Sequence, residues 1–202
     1  MIGLCTDSNS QVPPDLARRY GVEVVPLTVT VDGEEFLEGV DLDADGFYAR
    51  FAAGATPAVT TAAPSPGRFV AAYEALAAAG ADEILSVHIG SAISGTFNAA
   101  RLAAQASPVP VRLVDTGTAS FGVTCCLWEA AEAVAAGASL EDAARVAEAV
   151  AGRTGNVFVV RAVELVRRGG RLGDAGTSLE PDAIPVVRLR GGAYEPVAEA
   201  RT

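Results

Sequence analysis

Hydroxyl side chains gather in four short stretches of this 202-residue sequence. They are Thr6-Asp7-Ser8-Asn9-Ser10, Thr60-Thr61-Ala62-Ala63-Pro64-Ser65, Gly90-Ser91-Ala92-Ile93-Ser94-Gly95-Thr96 and Asp115-Thr116-Gly117-Thr118-Ala119-Ser120. Two of them run directly into predicted helices, where unpaired backbone N–H groups and the positive end of the helix dipole favour an anion such as a carboxylate or phosphate. Taken singly, such a hydroxyl more commonly caps a helix, and Ser65 and Ser139 are assigned to capping outright. The Gly90–Thr96 stretch holds more hydroxyls than one cap requires, and Gly95 allows the backbone to approach a ligand closely. The binding candidates are therefore Ser8, Thr60, Thr61, Ser94, Gly95 and Thr96.

Serine nucleophile chemistry needs a base, and the sole histidine, His88, falls inside an apolar predicted strand. The sequence holds no Gly-x-Ser-x-Gly elbow, no Walker loop and no dinucleotide fingerprint, and its aspartates lack metal-ligand spacing. No catalytic residue, metal ligand or cofactor is assigned. Asp7 and Asp115 are read as structural acids that bond nearby N–H groups, with pairing to a hydroxyl or cation as the alternative.

The elements that must position these stretches alternate between strand and helix. Strands are predicted over Ile2–Cys5, Val22–Val31, Ile84–Ile89, Val111–Val114 and Val157–Val160. Helices are predicted from Pro14 to Tyr20, from Asp43 through Phe51, from Ser65 to Gly80, over Phe97–Ala106 and Ala119–Ala136, and from Ser139 to Gly152. Short connections between alternating elements predict a parallel sheet covered on both faces, a doubly wound three-layer α/β/α domain over residues 1–155. Ligands of such sheets sit beyond the carboxyl ends of the strands, where the hydroxyl stretches fall. From 156 to 202 the pattern changes to a short basic helix ending near Arg168, then Pro185–Leu189, Gly191-Gly192 and Tyr194–Ala198, an antiparallel hairpin read as part of a second, mixed-sheet domain.

Half of the residues are hydrophobic, enough for a substantial core, yet no stretch approaches the roughly 20 apolar residues of a membrane span. A net charge of −10 disfavours nucleic acid, which needs a basic surface. The N-terminus shows no basic segment and no apolar signal core, so a cytoplasmic location is expected. Three cysteines, two of them adjacent at Cys125 and Cys126, suit neither a disulfide framework nor a zinc site.

Several phrases in order resemble the DegV family. They are Thr6-Asp7-Ser8-Asn9-Ser10 with Pro13, Val25-Pro26-Leu27, Gly39-Val40-Asp41 with Phe47-Tyr48, Thr61-Ala62-Ala63-Pro64-Ser65, Ser94-Gly95-Thr96-Phe97, Arg168-Gly169-Gly170-Arg171-Leu172 and the closing Arg201-Thr202. The resemblance implies a protein that binds a long-chain fatty acid in a tunnel between two domains, with the carboxylate held by Thr61 and Ser94. It further implies a non-catalytic partner that presents the acyl group to a fatty-acid kinase for acyl-phosphate formation, for which Arg168, Arg171 and Arg201 are the basic candidates. Ala62-Ala63 replaces the family's usual Ser-Gln. The chain stops at Thr202 where family members continue, so the second domain is read as truncated, without the histidine that the family brings to the carboxylate. A second copy of the chain is a candidate to supply the missing wall as a homodimer. Two other readings stand beside this one: a small hydrolase or transferase with Ser94 as nucleophile, and a degenerate member acting as an interaction protein.

Overall fold

The computed structural model describes residues 1–159, 184–190 and 193–200. The chain opens with β1 (Ile2–Asp7), a single 3-10 turn (Ser8–Ser10), α1 (Pro14–Tyr20), β2 (Val22–Val25), β3 (Thr28–Val31), β4 (Glu34–Leu37) and α2 (Ala44–Ala49). It continues through β5 (Val59–Ala62), α3 (Pro66–Ala78), β6 (Glu83–His88), α4 (Thr96–Ala104) and β7 (Val111–Asp115). Two helices, α5 (Phe121–Ala135) and α6 (Leu140–Ala151), precede β8 (Asn156–Val159), β9 (Ile184–Arg190) and β10 (Ala193–Ala200).

The parallel sheet expected from the alternation is present as four strands in the order β2-β1-β6-β7. Its strands alternate cleanly. Leu4, Leu85, Val87 and Ile89 face α5 and α6, where Ala130, Ala131, Ala143, Ala144 and Ala147 are all buried. Cys5 and Ile84 face α3 and α4 through Phe69, Tyr73, Leu76 and Ala100. Small alanines at these contacts let the helices lie close together, which accounts for an apolar share so rich in alanine.

The predicted single strand Val22–Val31 is two strands in two sheets. Pro26 cannot donate to a ladder, and the chain breaks there. Residues Val22–Val25 pair with β1, whereas Thr28–Val31 is the centre of a separate antiparallel sheet, β4-β3-β5. The strand that follows ends at Leu37, and Gly39 turns the chain at φ 76°. Asp43 caps α2, its carboxylate accepting from the Gly46 N–H at 2.7 Å. Ser139 caps α6 by accepting from the Asp142 N–H at 3.2 Å. Ser65 stands at the start of α3 but makes no side-chain cap bond; Pro66 at the first position sets that helix.

The hairpin expected near the end is β9-β10, and β8 adds to it, giving a third sheet of order β10-β9-β8. Leu189, Phe158 and Tyr194 carry its inner face onto the same core as Val123 and Leu127. The basic helix expected before Gly169 lies outside the described residues.

Candidate functional site

In the order β2-β1-β6-β7 the chain moves outward from β1 to β2 on one side and from β6 to β7 on the other, so the connections leaving β1 and β6 diverge. That switch point opens a crevice at the carboxyl ends of β1 and β6. Three of the four hydroxyl stretches meet there, joined by hydrogen bonds between side chains and backbone. The Asp7 carboxylate accepts from the Asn9 N–H at 3.1 Å and the Ile89 N–H at 3.2 Å. The Asn9 carboxamide oxygen accepts from the Ser120 N–H at 2.9 Å, holding Ser120 at a positive φ of 54°. Asp115 accepts from the Ser91 and Gly117 N–H groups at 3.0 and 3.1 Å. Gly90 sits so close to the next turn that a Cβ there would lie 2.9 Å from the Gly117 backbone.

Ser94 is half-buried at the mouth of α4. Its Oγ lies 2.9 Å from the hydroxyl of the fully buried Thr96 and accepts from the Thr96 N–H at 3.3 Å. When Thr96 donates its hydroxyl hydrogen, Ser94 Oγ is doubly supplied as an acceptor, and its own hydrogen is left to point outward. Thr96 thus acts through Ser94 and does not itself face the crevice. Gly95, at the N-cap of α4, stands beside the fourth stretch: a Cβ on Gly95 would meet the Ala63 Cβ at 3.8 Å.

The structure corrects the placement of two of the binding candidates. Thr60 and Thr61 are not in a loop but in β5, where successive side chains point to opposite faces. Thr61 is opposite Val29, on the face that carries Val31, Phe36 and Val59, whereas Thr60 is opposite Thr30 on the other face. The two threonines therefore cannot hold one group together. Ser8 is also committed: its hydroxyl donates to Glu38 at 2.5 Å and accepts from the Leu27 N–H at 2.9 Å, clipping the first turn to the antiparallel sheet. A hydroxyl has one hydrogen, and this one is spent.

The expectation that His88 is merely an apolar-strand residue missed its partners. His88 Nδ1 lies 2.9 Å from Asp7 Oδ2, and its Nε2 lies 2.6 Å from Ser86 Oγ. Ser86 Oγ in turn meets the Tyr73 hydroxyl at 3.0 Å. The ring packs edge-on against Phe69 with centroids 5.1 Å apart. These are the contacts of a Ser-His-Asp triad, but Asp7, Ser86 and His88 are each 0% exposed, so no substrate reaches them. With both ring nitrogens engaged, His88 is not a base for Ser94. Burial also pushes the Tyr73 phenol and the neighbouring Cys5 thiol above their ordinary ranges, so both stay protonated. The sign that could have revealed the chain is the alternation Ser86, His88 on one face of a strand whose other face is Leu85, Val87, Ile89.

Three comparisons with known proteins bear on this site. The family model described as "Uncharacterised protein, DegV family" matches residues 1–202. The chain belongs to the DegV family. A DegV domain-containing protein of Streptomyces coelicolor is 37% identical over 204 residues, covering all of this chain and 72% of that protein. Among solved structures, a fatty-acid-binding DegV family protein from Thermus thermophilus superposes with a TM-score of 0.87 at 38% identity, covering 100% of this chain and 72% of that one. DegV of Bacillus subtilis, a fatty acid binding protein, gives a TM-score of 0.87 at 28% identity over the same shares.

Within this DegV chain, Thr61, Ser94 and Gly95 fall on two segments that the fold brings into contact. Arg168, Arg171 and Arg201 lie outside the described residues. A cleft of about 740 Å³ opens beyond β7, lined by Asp115, Thr116, Arg153, Thr154 and Arg188 among others. Its walls carry Asp115, Glu148, Arg153 and Arg188, and none of the hydroxyl candidates lines it. Among the described residues there is no cluster of metal-ligating side chains, and no helix is long and apolar enough to cross a membrane.

Proposed function

We propose that this chain binds a long-chain fatty acid by its carboxylate at the crevice between β1 and β6, with Ser94 and Thr61 as the hydroxyl donors. The observation that carries the reading is the Ser94–Thr96 arrangement at the start of α4. With Thr96 as the donor of their shared hydrogen bond, the Ser94 hydrogen is left for an outside acceptor, and the first-turn N–H groups and the helix dipole favour a negative charge at the same place. The fatty-acid-binding proteins from Thermus thermophilus and Bacillus subtilis, similar over the whole chain, support the choice of ligand. In this reading the bound acyl group is presented to a fatty-acid kinase for acyl-phosphate formation, residues 1–155 form the carboxylate-binding domain, and residues 156–202 belong to a second one.

The test is titration of delipidated protein with palmitate, followed by Ser94→Ala and Thr61→Ala. A hydrogen bond to a charged group contributes roughly 1.5–3 kcal/mol, so each variant is expected to lose about tenfold or more in affinity while staying folded. Thr60→Ala, on the opposite face of β5, is expected to bind as wild type does. Equal affinity in all four proteins removes the assignment of Thr61 and Ser94. Adding a fatty-acid kinase and ATP to the loaded protein checks the presentation step, the expected product being the acyl phosphate.

A further inference from the structure

A fully buried carboxylate is costly unless each oxygen is supplied with donors. Asp7 receives three, and they come from separate parts of the chain: the Asn9 N–H on Oδ1, and the Ile89 N–H and His88 Nδ1 on Oδ2. Asn9 lies in the turn after β1. Ile89 immediately precedes Gly90, whose carbonyl accepts from the Ile93 and Ser94 N–H groups, both at 3.1 Å. Three covalent or hydrogen-bonded links therefore separate the Asp7 carboxylate from the Ser94 backbone. Through Asn9 the same carboxylate is tied to Ser120, so all three turns at the crevice refer to one point. His88 fixes how that point is oriented, because its ring is held between Asp7, Ser86 and the edge of Phe69.

We propose that Asp7, oriented by His88, is the positioning residue of the carboxylate site, setting the separation of the turns after β1 and β6 and thereby presenting Ser94 to the bound acid. This rests on the fatty-acid reading above. Asp7→Asn is the discriminating change. An amide has one acceptor oxygen, so in either orientation its NH₂ group faces a backbone N–H, that of Asn9 or that of Ile89, and one turn is released. The same change removes a negative charge close to the site of a bound anion, which by itself would tighten binding. A loss of affinity in Asp7→Asn thus reports position and not charge.

The experiment titrates palmitate into wild type, Asp7→Asn and Ile84→Val, the last a core change at the opposite end of β6 that lowers stability without touching the turns. Asp7→Asn is expected to weaken binding at least tenfold and Ile84→Val by less than twofold. The chain has one histidine, so ¹⁵N-histidine labelling gives a single set of ring signals, and these are expected to shift in wild type as palmitate saturates. Folded Asp7→Asn binding within twofold of wild type, or more tightly, overturns the proposal, as does an equal loss in Ile84→Val. Should Asp7→Asn fail to fold, ring signals in wild type that do not move on saturation overturn it instead. Folded wild type that takes up no palmitate overturns the fatty-acid reading and this proposal together, an outcome visible before any variant is made.

Discussion

Gly90→Ala tests whether the contact between the β6 and β7 turns sets the site. A Cβ at position 90 would lie 2.9 Å from both the Cα and the carbonyl carbon of Gly117 and 3.3 Å from the Thr118 nitrogen. Carbon atoms in contact prefer about 3.5–4.0 Å, so the two backbones must part by roughly 0.6 Å or more. No flexible side chain is there to yield. The Gly90 N–H to Thr118 carbonyl bond, 2.9 Å long, would stretch to about 3.5 Å, the limit of a useful hydrogen bond, and the Ser91 N–H to Asp115 bond would lengthen with it. Each such bond is worth about 1 kcal/mol net, and Gly90 is buried, so the expected loss is about 2–3 kcal/mol. For a chain of this size that lowers Tm by roughly 4–12 °C. Palmitate affinity should fall with it, because Ser94 hangs from the same turn. The control is Gly95→Ala, whose Cβ would meet only the Ala63 Cβ at 3.8 Å, an ordinary contact at an ordinary φ of −71°, so its Tm should hold within about 2 °C. Thermal unfolding and palmitate titration on both variants decide the matter. A Gly90→Ala protein with wild-type Tm and wild-type affinity would show that this contact does not set the site.

Two further outcomes are expected. Thr96→Val, nearly isosteric and buried, removes the hydroxyl that pairs with Ser94 Oγ; palmitate affinity should drop about fivefold, the equivalent of about 1 kcal/mol, and an unchanged affinity by calorimetry would separate Thr96 from the site. Burial pushes the Cys126 thiol up to about 12 and raises Cys5 as well, so at pH 8, four units below the Cys126 value, its thiolate fraction is about 10⁻⁴. Ellman's reagent should then find at most the half-buried Cys125 in the native protein and all three thiols after denaturation, and three fast thiols in the native state would contradict the burial.

Much of the fold was legible because local signals and tertiary demand agree. Asp43 and Ser139 read as caps and act as caps, Gly80 and Gly137 end helices at positive φ, and runs such as Ile84-Leu85 read as strands buried on both faces. Where they failed, a tertiary preference overrode the pattern. Val22–Val31 is one β-branched run, and only Pro26 hints that its halves serve different sheets. Thr60 and Thr61 sit between Pro57 and Pro64 in a short stretch that reads as loop, yet β3 offers an open edge with Val29 and Val31, and pairing there draws them into a strand.

The site was less legible than the fold, for a physical reason: a hydroxyl's role depends on which single acceptor takes its hydrogen, and that acceptor is usually distant in sequence. Ser8 and Ser94 look alike in their stretches. Glu38, 30 residues from Ser8, consumes one hydroxyl, while Ser94 pairs with Thr96, two residues away, and can donate elsewhere when Thr96 supplies the shared hydrogen. The same applies to His88, which lies 81 residues from the aspartate that holds it. Buried polar side chains in a strand are costly unless satisfied, so Ser86 and His88 alternating through an otherwise apolar β6 demanded partners on one face. Reading that demand from sequence would have pointed to the acids that end the two adjacent strands, Asp7 of β1 and Asp115 of β7, of which Asp7 is the buried one and the carboxylate on which the turns at the crevice converge.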